Sequence, residues 1–211
     1  MRPAHDEAPG GAGRTARARV RDELTAEITL RARQQLSTSG GAGLSVRAVA
    51  RQMGMASSAI FRYFPSRDAL LTALIIDSYA SMADAAEAAE AAVHDESVGE
   101  RWATICHAVR DWALAHPHEY ALIFGTPIPG YAAPPDTIGP ASRVPLLLSA
   151  LLAGLPTAAP DPDDEPPPAV VAAVQPVLAT MPPGVPPDLA VRGLMAWTYL
   201  FGAVSFELFG H

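Results

Sequence analysis

Apolar residues recur along most of this chain at intervals of three and four positions, which is the period of one face of an α-helix. In the first third of the chain this pattern predicts three helices. Gly54 stops the second of them and Pro65 ends the third. The three helices cover 20–36, 45–53 and 57–63, and their predicted core positions are Val20, Leu24, Ile28, Leu36, Val46, Val49, Ala50, Met53, Ile60 and Phe64.

Beyond Pro65 the same period predicts six more helices, over 66–93, 98–115, 118–124, 138–153, 169–181 and 188–209. The stretches 125–137 and 154–168 are predicted loops, because closely spaced prolines and glycines leave few helical options there. The composition is 49% hydrophobic, rich in Ala and Leu, and only 7% aromatic, which suits packed helices better than sheets. The predicted fold class is therefore all-α, with almost no strand.

Positive charge is concentrated in the first third of the chain. Residues 1–70 hold 11 Arg and 6 acidic residues, whereas residues 71–211 hold 4 Arg and 16 acidic residues. Residues 1–17 have no periodic apolar face, so we expect them to form a disordered basic arm. The arginines from Arg31 to Arg67 lie inside the helical pattern, so a basic tail alone does not account for the charge. A basic part beside an acidic remainder indicates that only the first part approaches phosphate.

The last predicted helix contains an uncharged apolar stretch from Gly193 to Phe206. This stretch is shorter than the roughly 18 to 20 residues that a bilayer requires, so we expect a buried helix and no membrane partner. Its small residues would let another helix approach closely, which indicates a homodimer formed through the last helices. The N-terminus lacks an apolar signal segment, and the single Cys106 fits a reducing compartment. We therefore expect a cytoplasmic protein.

The segment 44–71 contains two short predicted helices joined by a tight turn, and a longer predicted helix precedes it. This is the order of a helix-turn-helix. The last short helix would lie in the major groove of DNA, with polar side chains at its start and phosphate-binding groups around it. Arg47 would reach a guanine edge or a phosphate. Ser45 and Arg67 lie beside helix N-termini, where phosphates bind. The expected DNA-binding residues are Ser45, Arg47, Ser57, Ser58, Arg62, Tyr63 and Arg67, together with Arg17 and Arg19.

This segment resembles the TetR family of transcriptional regulators. The family pattern is matched by Ser45, Ala50, Gly54, Phe61, Tyr63, Phe64, Arg67 and the pair Leu70-Leu71. Two departures are Ala56, where a capping Ser is common, and Phe61, where the usual Tyr would supply a phosphate-binding hydroxyl. The resemblance implies a helix-turn-helix DNA-binding domain at 18–65 that reads double-stranded operator DNA as a dimer. A larger α-helical domain at 66–211 would bind a ligand and dimerise.

The C-terminal part resembles the WHG-type domain of actinobacterial regulators. Trp197 and Gly202 match its pattern, while Phe201 stands where a histidine is expected. This resemblance implies a ligand cavity among the central helices. The residues expected to line it are Trp102, Ile105, Val109, Trp112, Tyr120, Phe124, Leu147, Trp197 and Phe201, for a small and largely apolar ligand. The alternative for each of these residues is a filled core.

The sequence offers no convincing catalytic or metal-binding set. Cys106 and His107 are adjacent and lack a third orienting group, and His116 with His118 makes only half a zinc site. We therefore expect no cofactor, no metal and no enzymatic activity. The expected function is a ligand-responsive repressor. A helical ligand-binding or interaction protein without operator binding is the alternative, and the sequence does not distinguish repression from activation.

Overall fold

We describe the protein from a computed structural model, which covers residues 10–155, 166–183 and 185–210. This part of the chain is helical and contains no strand, as the sequence predicts. The helices are α1 (Gly10–Gly43), α2 (Val46–Gln52), α3 (Ser57–Ile60), α4 (Arg67–Ala91), α5 (Val98–Ala115), α6 (Pro117–Phe124), α7 (Ile138–Ala153), α8 (Pro168–Leu178) and α9 (Pro187–Phe209), with a short 3-10 helix at Pro135–Thr137.

The first helix begins earlier than the pattern of apolar residues predicts. Residues 10–17 are helical, where the sequence suggested a disordered arm, and residues 1–9 lie outside the described part. These residues extend a helix that is already formed further along the chain, and adding turns to an existing helix avoids the cost of nucleating a new one. Val20, a predicted core position, is 53% exposed, so the core begins further along, at Ile28. Gly40 interrupts the helix with a φ of 62°, at the break that the sequence predicts.

The chain divides into two compact units, and the first consists of residues 1–74 together with 127–131. Its core is aliphatic apart from Phe64. The buried side chains come from all four of its helices and include Ile28, Leu36, Leu44, Val49, Ile60, Leu70, Leu71 and Leu74. This core holds α2 and α3 against α1 and the start of α4, which is the arrangement that a helix-turn-helix requires.

The second unit comprises residues 75–126 and 132–211. Its core is built from α4, α5, α6, α7 and α9 around Met82, Ile105, Val109, Tyr120 and Leu148. Ser97 caps α5 by accepting a hydrogen bond from the Glu100 amide, and the Glu100 carboxylate accepts one from the Ser97 amide. This reciprocal capping fixes where α5 begins. Most of the predicted loop at 154–168 lies outside the described residues.

The last helix differs from the prediction that it is buried. Only Ala190, Gly193 and Val204 of α9 are buried, whereas Met195, Tyr199 and Phe206 are 67%, 79% and 61% exposed. By length and apolarity alone, α4 and α9 could each cross a membrane, a test that core helices of soluble proteins also pass. A periodic apolar pattern marks a face to be covered, and it does not say whether the same chain covers it.

Candidate nucleic-acid interface and apolar cavity

The turn between α2 and α3 is set by backbone hydrogen bonds. The Ser45 hydroxyl caps α2 by accepting a hydrogen bond from the Ala48 amide at 3.4 Å. At the other end, the Gly54 amide donates to the Arg51 carbonyl and the Met55 amide to the Ala50 carbonyl. These two bonds form a Schellman motif, which needs a residue with positive φ, and Gly54 has a φ of 65°. The tight glycine-centred turn expected of a helix-turn-helix is thus present.

The recognition segment is shorter as a regular helix than the sequence predicts. α3 covers Ser57–Ile60, and its N-cap residue Ala56 provides no side-chain hydrogen bond. The Arg62, Tyr63 and Phe64 amides still donate to the Ala59 and Ile60 carbonyls, so hydrogen-bonded turns continue to Phe64. Ser58 and Arg62 are exposed, and Ser57 and Tyr63 are half-buried. The predicted groove-facing side chains therefore lie on one short, well-anchored segment.

Four of the predicted DNA-binding arginines are exposed: Arg17, Arg19, Arg47 and Arg62. None of their guanidinium groups makes a hydrogen bond or ion pair to another residue that the structure describes. Exposed and unpaired guanidinium groups keep all their donors for phosphate oxygens or guanine edges. Arg17 also lines a shallow surface depression together with Ala16, Val20, Arg21 and Tyr63.

Arg67 is placed differently from the phosphate-binding residue that the sequence suggested. Its Nε donates to the Leu44 carbonyl at 3.1 Å, and its Nη2 donates to the Gly41 and Ala42 carbonyls at 2.8 and 3.0 Å. Its Nη1 lies 3.8 Å from the Asp68 carboxylate. The guanidinium is therefore engaged by the protein itself, because the end of α1 leaves backbone carbonyls without helical partners.

Two residues of this unit were missed by the sequence analysis. Arg21 donates from Nη2 to the Arg62 carbonyl at 3.3 Å, and its guanidinium lies 5.5 Å from the centre of the Tyr63 ring. Gln35 accepts a hydrogen bond from the Ser45 amide at 3.1 Å. Both side chains extend from α1 to the segments that carry the predicted DNA-binding residues. Their partners lie 41 and 10 residues away, so helical periodicity offers no signal for these contacts.

The second unit contains an apolar cavity of about 100 Å³ between α5, α7, α8 and α9. Its lining consists of Trp102, Pro145, Leu148, Ser149, Leu152, Val177, Met181, Gly193, Leu194 and Trp197. No charged side chain borders it. The only hydroxyl, that of Ser149, already donates to the Pro145 carbonyl at 2.7 Å. Such a lining favours a neutral and apolar occupant over a charged one.

The predicted pocket residues do not all reach this cavity. Trp102 and Trp197 line it, whereas Ile105, Val109, Trp112 and Tyr120 are buried in the adjoining core. Phe124, Leu147 and Phe201 pack against that core. These seven residues lie in or against the packed core beside the cavity, which agrees with the alternative of a filled core. Their part in a ligand pocket stays a prediction.

Aromatic rings pack closely beside the cavity. The Phe201 ring lies 4.2 Å from the Phe124 ring and 4.3 Å from the Trp197 ring, measured between centroids. The Tyr120 hydroxyl reaches the Phe201 carbonyl at 3.1 Å and Ser205 Oγ at 3.0 Å. Burial raises the pKa of Tyr120, so its hydroxyl stays protonated and can donate. The cavity that remains lies on the α7 and α8 side of this cluster.

Comparison with known proteins supports both units. The family model of bacterial regulatory proteins of the tetR family matches residues 28–74. The model of the tetracyclin repressor-like C-terminal domain matches residues 102–211. The HTH-type transcriptional regulator Rv1816 of Mycobacterium tuberculosis is 39% identical over 202 residues, which cover 90% of this chain and 83% of Rv1816. A regulator of Mycobacterium bovis, Mb1846, is similar to the same extent.

Solved structures agree with this assignment. The regulatory protein SCO4313 is 36% identical, with a TM-score of 0.77 over 92% of this chain and 88% of SCO4313. A Rhodococcus protein of unknown function has a TM-score of 0.61 at 23% identity, over 100% of this chain and 88% of its own, and so supports the fold alone. The resemblance drawn from residues 44–71 is thus confirmed at the level of the family, while the WHG-type subclass stays an interpretation. The chain belongs to the TetR family of bacterial transcriptional regulators, which bind DNA through a helix-turn-helix.

Proposed function

We propose that this protein is a repressor that leaves its operator when a small, neutral, apolar molecule binds in its second unit. The observation that supports this most directly is the contrast between the two candidate sites on one chain. The first unit presents unpaired arginines beside a recognition turn, and the second holds an uncharged cavity lined by two tryptophans. One site suits a polyanion and the other suits a molecule that water solvates poorly.

On the DNA side, we assign contacts by chemistry. Arg47 on α2 and Arg62 after α3 would bind phosphates or guanine edges, and Ser57 and Ser58 would approach the groove. Tyr63 and Ser45 would contact the sugar-phosphate backbone of the DNA at the edges of this interface. Arg17 and Arg19 extend the basic surface along α1. These assignments follow the division predicted from the sequence, which has a basic N-terminal segment, a DNA-binding domain at 18–65 and a sensor domain at 66–211.

On the ligand side, the size of the cavity limits the occupant. About 100 Å³ is near the volume at which an apolar protein cavity accepts a single aromatic ring. A larger effector would require Met181 or Leu194, which are half-buried, to move aside. A carboxylate or ammonium group would enter without a counter-charge, at a desolvation cost that apolar contacts do not offset.

For transmission between the two functions we propose α4. This helix begins at Arg67 in the first unit and continues to Ala91 in the second, so one helix belongs to both units. In a dimer, two recognition segments must match half-sites about 34 to 36 Å apart on the same face of DNA. An effector that binds better to a conformation with another spacing would shift the dimer away from the operator.

For dimerisation we propose the exposed apolar face of the last helices. Met195, Tyr199 and Phe206 of α9 together with Val170 and Val177 of α8 are between 37% and 79% exposed. Burying such a face in a second copy would remove it from water. Sedimentation of Tyr199→Arg should reveal monomers, while Leu30→Arg, an equally drastic change at an exposed apolar residue of α1, should leave dimers. If Tyr199→Arg remains dimeric, the interface lies elsewhere.

The central experiment combines DNA and effector. Duplexes are selected from a random pool with the wild-type protein, and fluorescence anisotropy then measures binding of the selected duplex and of a scrambled duplex. We expect the selected duplex to bind more tightly than the scrambled one, and benzene to release it. Failure to select any sequence would contradict operator binding and favour a ligand-binding or interaction protein that does not bind operator DNA.

A matched variant tests the cavity separately from the DNA site. A methyl group at position 193 would approach the Leu152 Cδ1 atom to 2.5 Å, so Gly193→Ala must displace Leu152, and both residues line the cavity. We expect Gly193→Ala to bind the selected duplex normally and to require a different concentration of benzene for release. Gly139→Ala on α7, where an added methyl group meets no atom within 4 Å, serves as the control. Equal sensitivity of both variants to benzene would place the effector outside this cavity.

A further inference from the structure

The guanidinium group of Arg67 connects the first turn of α4 to the end of α1, beyond the break at Gly40, and to Leu44, which follows it. Its Nε and Nη2 atoms donate to three backbone carbonyls, those of Gly41, Ala42 and Leu44, at 2.8 to 3.1 Å. The side chain is only 31% exposed. We refer to these three hydrogen bonds as the Arg67 clamp.

The segment that the clamp holds is poorly restrained by its own sequence. Residues 40–44 read Gly-Gly-Ala-Gly-Leu, and Gly40 adopts a φ of 62°. Glycine-rich backbone has many conformations to lose, so a fixed path requires contacts from outside the segment. The segment leads directly into Ser45, which caps α2 and whose amide donates to Gln35. The orientation of α2, and with it of Arg47, therefore depends on contacts that hold this loop.

We infer that Arg67 is a positioning residue for DNA recognition, which fixes the approach of α2 to the groove, and that it does not act as a phosphate ligand. Two nitrogen atoms of one planar group must serve carbonyls in different directions, which a lysine ammonium, with a single nitrogen, cannot reproduce. The remaining Nη1 faces Asp68, whose negative charge lowers the attraction of this group for phosphate. The inference rests on operator binding as proposed above.

The two possible roles of Arg67, phosphate ligand and clamp, predict different results for two substitutions. A phosphate ligand needs positive charge, so Arg67→Lys would bind DNA nearly normally, and Arg67→Gln would make the slope of log K against log salt less negative by about 0.9. A clamp needs the guanidinium fork, so Arg67→Lys and Arg67→Gln should be equally impaired. For the clamp we expect about tenfold weaker binding of the selected duplex, an unchanged salt slope and unchanged binding of the scrambled duplex.

The experiment measures anisotropy of both duplexes at several salt concentrations for the wild type, Arg67→Lys and Arg67→Gln. Circular dichroism confirms that each variant is folded at the assay temperature. Arg47→Gln is the control for a direct contact, and its salt slope should change. Normal selective binding by Arg67→Lys, or a less negative slope for Arg67→Gln, would overturn the inference. If the wild type selects no sequence, the proposed operator binding fails instead, which is a different result.

A measurement on the wild-type protein covers the case in which both variants unfold. The Nε–H of Arg67 gives a separate nuclear magnetic resonance signal, and the clamp predicts slow exchange of this hydrogen with water in the free protein. Its chemical shift should also stay unchanged when the selected duplex is added, because the Leu44 carbonyl keeps accepting the bond. Fast exchange in the free protein, or a large shift on adding DNA, would contradict the clamp.

Discussion

Arginine serves two different purposes in the two units of this protein. In the first unit Arg17, Arg19, Arg47 and Arg62 are exposed and make no ion pair within the described residues. In the second unit Arg101, Arg110 and Arg143 are held by carboxylates. Four exposed arginines of the first unit are thus left available, whereas these three are paired, a difference that a count of charges along the sequence cannot show.

The pairs of the second unit join its helices. Arg143 on α7 donates to Glu87 and Asp84 on α4 at 2.6 and 2.7 Å, and these hydrogen bonds raise the pKa of its guanidinium. Arg101 on α5 pairs with Glu90 on α4, and the Arg110 Nε donates to Glu207 on α9 at 2.8 Å. Exposed pairs of this kind contribute little stability individually. They offset the positive charge of these three arginines, whereas residues 1–70 keep an excess of arginine over acidic residues.

The largest expected effect concerns the core of the first unit. Ile60 on α3 is fully buried among aliphatic side chains, so Ile60→Ala should lower the free energy of unfolding by about 3 kcal/mol, from lost burial and the cavity left behind. Urea denaturation followed by circular dichroism measures this. The neighbouring Phe61 is 40% exposed, and Phe61→Ala should cost much less. Similar losses for both variants would mean that α3 packs differently from this description.

The second prediction tests the two uses of arginine. Arg47→Gln should weaken binding of the selected duplex about tenfold and make the salt slope less negative by about 0.9, because one phosphate or base contact is lost. Arg110→Gln changes charge by the same amount in the second unit, where the side chain is paired with Glu207. We expect its salt slope to equal that of the wild type. Equal slopes for Arg47→Gln and the wild type would remove Arg47 from the DNA interface.

The third prediction concerns the polar group in the core of the second unit. Tyr120→Phe removes a hydroxyl that forms hydrogen bonds with the Phe201 carbonyl and with Ser205. Each of these two partners then loses one hydrogen bond. The free energy of unfolding should fall by about 1 kcal/mol. Tyr63→Phe, where the hydroxyl makes no hydrogen bond to any residue that the structure describes, provides the matched comparison and should change it by less than about 0.5 kcal/mol. Thermal denaturation of the two variants side by side decides between these expectations.

The smallest expected effect involves Cys106 on α5. Burial raises the pKa of its thiol in the folded protein, and a hydrogen bond with Trp102 opposes this shift only partly. The protonated thiol is therefore favoured by folding, so the stability that it contributes is complete below the unfolded pKa and is lost as pH rises through the folded pKa. Alkylation by iodoacetamide should require a higher pH in the folded protein than in urea. Identical pH profiles in the two states would contradict this.

The sequence predicts the helices well where periodicity and breakers agree. The bounds of α5 and α7, the stop at Gly54 and the buried residues Ile60 and Phe64 are confirmed. The structure differs at residues 10–17, which extend an existing helix although they have no buried face, and at α9, because an apolar face does not have to be covered by its own chain. The helix-turn-helix was recognisable because it is local, with its caps and turn within a few residues.

The sites were predicted less completely than the helices, because some of their contacts join residues that are far apart in the sequence. The Arg67 clamp joins α4 to the end of α1, and the Arg21 hydrogen bond joins α1 to the recognition turn. The partners are more than twenty residues apart in each case, so composition does not predict these contacts. Only two of the nine residues predicted to line a pocket border the cavity described above. Trp102 and Trp197 line it, but whether Tyr120 or Leu148 faces a void depends on how the rings of Phe124 and Phe201 fill the space.

The close approach of α7 and α9 at Gly193 gives the cavity a marker that can be read in other sequences. Any side chain at this position displaces the tip of Leu152, so the residue found there reports on the free volume beside the two tryptophans. Relatives with glycine at this position should retain an open chamber, whereas those with valine or leucine should have closed it. A survey of this one position across the family would sort its members into those that can respond to a single-ring molecule here and those that must sense something else.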